Sequence, residues 1–103
     1  MESLENQIEE LKAKHGVIFK LEVPTDSGEQ ILLLRKLDRV TYAAGSKLME
    51  KNELDAAEMF LRSLTVGGTI SVEEIIKDFD AMRTASALLA EIITPKRGNV
   101  TKL

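Results

Sequence analysis

The residues that could do chemistry in this 103-residue chain are few. His15 is the only histidine. A general base or metal ligand needs partners at matching spacing, and none flanks it. Its expected place is the end of a short helix, where a cation suits the negative end of the dipole. Asp78 and Asp80 form an Asp-x-Asp pair. On one helix, residues two apart face different directions and cannot clamp one ion together. Glu73 and Glu74 fall where a helix begins, a position that favours carboxylates for electrostatic reasons alone. Gly67-Gly68 precedes that helix, as anion-binding turns do, but it lacks the lysine and spacing of a P-loop and the glycine pattern of a dinucleotide fold. It reads as a tight turn. Ser27, Ser46, Ser63 and Ser86 have no base nearby to make a nucleophile. With no cysteine, disulfides, thiolate metal ligands and a cysteine nucleophile are excluded. No catalytic residue, metal ligand or cofactor-binding residue is therefore assigned.

Charge points the same way. Arg35, Lys36, Arg39, Lys47 and Lys51 could form a basic strip, and Lys96, Arg97 and Lys102 a basic tail. Nucleic-acid surfaces interleave such charges with stacking aromatics, and Tyr42 stands alone. The formal net charge is −3, and Glu50, Glu53 and Asp55 lie close by in sequence. A solvated face is expected, and nucleic acid is not an expected partner. Met1 to Lys14 is charged and periodic rather than an apolar leader, and no run approaches membrane-spanning length. The expected setting is cytoplasmic, with no membrane partner. In that setting Asn99-Val100-Thr101, a formal glycosylation sequon, is a chance match. The 44% hydrophobic and 30% charged content is that of an ordinary globular chain. One domain is expected over residues 1–95, with a flexible basic tail over 96–103.

The elements that must position these residues follow from periodicity. Ser71 to Ile93 is the longest helical pattern. Ser71 with Glu74 makes a capping box. Val72, Ile75, Ile76, Phe79, Met82, Ser86, Leu89 and Ile93 then recur on one face. Thr94-Pro95 ends the run. A single helix of about 33 Å is expected there. At the other end, Met1 to His15 reads as a short amphipathic helix with Leu4, Ile8 and Leu11 as its stripe and Gly16 as its terminator. With only that stripe to anchor it, this helix is expected to pack loosely or to pair with a neighbouring chain.

Val17 to Val23 alternates, and Glu29 to Lys36 is a second strand. Pro24 to Gly28 supplies turn chemistry for a hairpin loop of about five residues. The second strand is apolar on both faces, Ile31 and Leu33 on one, Leu32 and Leu34 on the other. That pattern means burial on both sides or an exposed patch kept for a partner. Asp38 can cap a helix over Arg39 to Lys51, with Val40, Ala43, Ala44 and Leu48 inward and Gly45 allowing close approach. A further helix covers Glu53 to Leu64 with Leu54, Ala57, Phe60, Leu61 and Leu64 as its stripe. Thr65 to Ile70 is expected to be a loop. The fold class is α+β: mostly helical, with one N-terminal β-hairpin packed on a three- to four-helix bundle.

One combination has a family likeness. A hairpin with an acidic turn leads into Leu34-Arg35-Lys36-Leu37-Asp38-Arg39. A helix pair, the Val66-Gly67-Gly68 turn and a long last helix follow. From Val17 to Ile93 this resembles the small tail assembly chaperones of tailed bacteriophages and prophages. Thr65-Val66 departs from the family, which tends to carry an aromatic shortly before the glycine pair. The resemblance implies no catalytic activity and no cofactor. It implies a bacterial host cytoplasm and a protein partner, the tape measure protein or tail tube subunits. The doubly apolar strand and the N-terminal stripe supply candidate contact residues: Leu4, Ile8, Leu11, Ile31, Leu32, Leu33 and Leu34. Two other readings fit the same residues. One is a structural or head–tail accessory protein that forms a homo-oligomer through the N-terminal helix. The other is a small nucleic-acid-binding regulator that uses the Arg35–Arg39 strip.

Overall fold

In the computed structural model, which describes residues 3–95 and 98–103, Ser3 opens the first helix by accepting a hydrogen bond from the Asn6 amide at 3.1 Å. Helix α1 runs Leu4–His15 and ends at Gly16, whose φ of 84° suits glycine. Strands β1 (Ile18–Thr25) and β2 (Gly28–Arg35) form the expected antiparallel hairpin, with Leu21 opposite Leu32. Its loop is shorter than turn chemistry implied. Pro24 and Thr25 stay in register with Glu29 and Gly28, so only Asp26 and Ser27 connect the strands. β1 is an edge strand, the one kind of strand that readily holds a proline.

Helices α2 (Arg39–Met49) and α3 (Glu53–Leu64) follow, capped by the Asp38 and Asn52 side chains. The inner face of α2 differs from expectation. Val40 is 80% exposed and Ala43 and Ala44 are also exposed, whereas Thr41 and Gly45 are buried. The Phe60 ring explains the rotation. It lies so close over Gly45 that a methyl group there would overlap it, so the helix turns its glycine inward rather than its valine.

Two further elements depart from the sequence reading. Thr65–Gly68 is not a loop but a third strand, β3, antiparallel to β2 with Gly68 opposite Leu32 and Thr65 opposite Leu34. Val66 is the extra residue of a bulge in that ladder. The single helix expected from Ser71 to Ile93 is two helices, α4 (Val72–Lys77) and α5 (Phe79–Ile93). Asp78 separates them with extended backbone (φ −92°, ψ 104°), and its carboxylate accepts from the Ala81 amide at 3.2 Å. The break turns Phe79 out of the stripe to 62% exposure.

The described residues thus form an α+β fold of five helices and a three-stranded antiparallel sheet ordered β1-β2-β3. One face of the sheet, through Leu21, Val23, Leu32 and Leu34, joins a continuous core with Phe60, Leu61 and Leu64 of α3, Ile75 of α4, and Met82 and Leu89 of α5. Each such side chain, fully withdrawn from water, contributes about 1.5–3 kcal/mol. The expected helical bundle is therefore α2 to α5 on this face. The expectations for Met1, Glu2, Lys96 and Arg97 fall outside the described residues. Beyond them, Val100 and Leu103 of the tail are fully exposed.

Candidate protein-binding surfaces

Both faces of β2 are covered, by the helical core on one side and by α1 on the other, which explains why Ile31 to Leu34 is apolar throughout. Leu32 and Leu34 face the helical core and are fully buried, so they present no surface to a partner. Leu33 is also fully buried, yet it lies outside that core cluster. It points to the opposite face, where Ile31 is half-buried.

Helix α1 covers that second face. Gly67 is opposite Leu33, and a side chain on Gly67 would run into Gln7 and come within 3.1 Å of Leu11 Cδ1. The half-buried residues of α1 are Leu4, Gln7, Ile8, Leu11 and His15, one stripe at helical spacing. The structure therefore places two groups of sequence candidates on facing surfaces: Leu4, Ile8 and Leu11 on the helix, Ile31 and Leu33 on the sheet. Gln7 had no sequence signal as a functional residue. Its Oε1 accepts from the Gly68 amide at 2.8 Å, and its Nε2 donates to the Gly68 carbonyl at 3.5 Å. One carboxamide thus serves both polar groups of a strand residue.

A second concavity, of about 420 Å³, opens between the C-terminal end of α2 and the helices α3 and α5. Phe60, Leu89 and Ile93 line it together with the exposed Met49 and Leu54, and with Glu53 and Arg83. The Arg83 guanidinium also lies 5.9 Å from the Phe79 ring centroid. No sequence stretch foretold this groove, because three separate helices build it. Leu54 was expected within a buried stripe and is half-exposed instead.

The polar candidates resolve into structural roles. Asp78 caps α5, Asp80 is exposed, and Gly67-Gly68 lies within β3. His15 ends α1. Arg35 is drawn out of the basic strip by Asp38 at 2.8 Å and by the Thr41 hydroxyl at 3.3 Å. Among the described residues no group of three or more His, Asp or Glu side chains could hold a metal ion.

Two carboxylates are tuned by their partners. The Thr41 amide, donating at 2.7 Å, and the adjacent Arg35 hold the Asp38 carboxyl below the usual carboxylate range. Glu73 is lowered by the Arg62 guanidinium, which meets it at 2.8 and 3.3 Å and is itself raised in turn. A carboxylate with a depressed folded pKa contributes stability above its unfolded pKa and loses it as pH falls through the folded value. The urea midpoint is therefore expected to hold from pH 7 to about 5 and to drop toward about pH 3. Asp38→Asn with Glu73→Gln should shallow that drop. An unchanged slope in the double variant would assign the acid sensitivity to other groups.

Comparison with known proteins returns no match: no family model, no curated protein and no solved structure matches the chain. The functional reading therefore rests on the residues and their geometry.

Proposed function

We propose that this protein is a non-enzymatic binding protein that shields apolar helical segments of another protein, as a tail assembly chaperone of a bacteriophage or prophage does for the tape measure protein. The observation that carries the reading is the pairing of two apolar helix-receiving surfaces with an acidic chain. The sheet face bearing Ile31 and Leu33 already holds one amphipathic helix, and the groove between α3 and α5 has Met49 and Leu54 exposed at its wall. Amphipathic helices are captured by such apolar troughs, and a net charge of −3 keeps a protein carrying them dispersed. The proposed setting is the cytoplasm of a bacterial host. Among the described residues no helix is long and apolar enough to cross a membrane.

The test is co-expression with the longest reading frame downstream of the gene. A helical, apolar product that stays soluble and co-purifies only with this protein is the expected result. Equal solubility without it, and no complex, would remove the chaperone reading and leave self-assembly as the reading to pursue.

A further inference from the structure

Helix α1 is attached to the fold differently from every other helix. None of its residues is buried, and none contributes to the core cluster, which is complete without it. Its chain link is Gly16, held at φ 84° with open space where a side chain would be. Segments with few buried contacts open at a free energy well below global unfolding. The surface beneath it is nevertheless specific. Leu33 is fully buried there, and Gly67 lets a helix approach closely. The Gly68 amide is bound by a side chain of α1 rather than by another strand.

We infer that this sheet face is a helix-docking site, that α1 is its tethered resident, and that an amphipathic helix of a partner protein takes α1's place. The resident defines the chemistry of its replacement. It is about three turns long, with Leu or Ile at i, i+4 and i+7, as Leu4, Ile8 and Leu11 are spaced, and a carboxamide at i+3, where Gln7 stands. The leucine stripe lies on the sheet face that bears Leu33 and Gly67, and the carboxamide meets Gly68. Binding is then autoinhibited, because a tethered competitor acts at an effective concentration on the order of millimolar. The inference rests on the function proposed above for the identity of the partner. Its test uses no partner, so the two can fail separately.

The probe is a fluorescent peptide of residues 3–16 of this chain, titrated against the full-length protein. A chain with Leu4→Ser, Ile8→Ser and Leu11→Ser, which releases α1, should bind it about tenfold more tightly or better than wild type. The same peptide carrying those three serines should bind neither chain. Should the triple variant fail to unfold cooperatively, the wild-type chain decides alone by preferring the native-sequence peptide over the serine peptide. Equal binding of the native-sequence peptide by the two chains, or of the two peptides by one chain, would overturn the inference. So would no binding of the native-sequence peptide up to about 1 mM, the order of the tether's effective concentration. Concentration-dependent dimerisation that the triple substitution abolishes would assign the face to α1 of a second copy and overturn the partner helix as its occupant.

Discussion

Gly68→Ala is expected to destabilise the fold by about 2–6 kcal/mol, the sum of backbone strain and overpacking. Gly68 holds φ at 138°, a region that side chains rarely adopt. A methyl group there would also overlap the Ile31 carbonyl oxygen and lie 3.1 Å from Leu32 Cα. Those are backbone atoms of the central strand and cannot rotate aside. Gly28→Ala is the matched control. Its φ of 110° carries the strain, but nothing lies within 4 Å of the new methyl. The two urea midpoints should therefore separate widely, with Gly68→Ala far the lower. Equal midpoints would mean that β3 shifts freely against β2. The comparison also bears on the docking site, because Gly68 is where Gln7 holds α1.

Leu32→Ala and Leu33→Ala should fail in different ways, although both residues are fully buried neighbours on one strand. Leu32 faces the main core, and its truncation is expected to cost about 2–5 kcal/mol of global stability. Leu33 faces α1. Its truncation removes the floor of a local contact, and α1 can settle into the space or detach. Amide exchange should then accelerate across Leu4–His15 while Phe60 to Leu64 and Met82 to Leu89 keep their protection. Equal global losses from the two substitutions, with no selective change in α1, would show that α1 is part of the cooperative core.

These contrasts were only partly legible in the residues. Alternation and turn chemistry located the hairpin, and helical spacing located α1, α2 and α3. Two-sided apolarity at Ile31 to Leu34 already admitted burial on both faces, and that alternative holds for Leu32, Leu33 and Leu34, with the core on one face and α1 on the other. β3 was illegible for a physical reason. Four residues are too few to show alternation, the two glycines offset the strand preference of Thr65 and Val66, and the strand exists because β2 offers it a ladder. The break at Asp78 was hidden because Ile75 and Met82, seven residues apart, keep one stripe in phase across it. Inside an unbroken apolar stripe Asp78 reads as a solvated helix residue, and its role as a cap shows only in its extended backbone. The inner face of α2 was misjudged because apolarity favoured Val40, whereas packing against Phe60 selects the residue with no side chain. For the candidate site, the apolar stripe of α1 was visible. The role of Gln7 was not, since a lone glutamine on a helix has no pattern.

The two outer strands of the sheet also bear on how the protein behaves when crowded. An unguarded strand border invites strands of other molecules to extend it and so seeds insoluble fibres. Here one border holds Pro24 and the Lys20–Glu22 pair at 3.2 Å, and the other is only four residues long, with the Gln7 carboxamide bonded to its Gly68 backbone. The second border is too short to template a strand, and on the first the proline and the charged pair disfavour one. In the proposed role, the protein would meet apolar helical chains through its side-chain surfaces rather than through its strand borders.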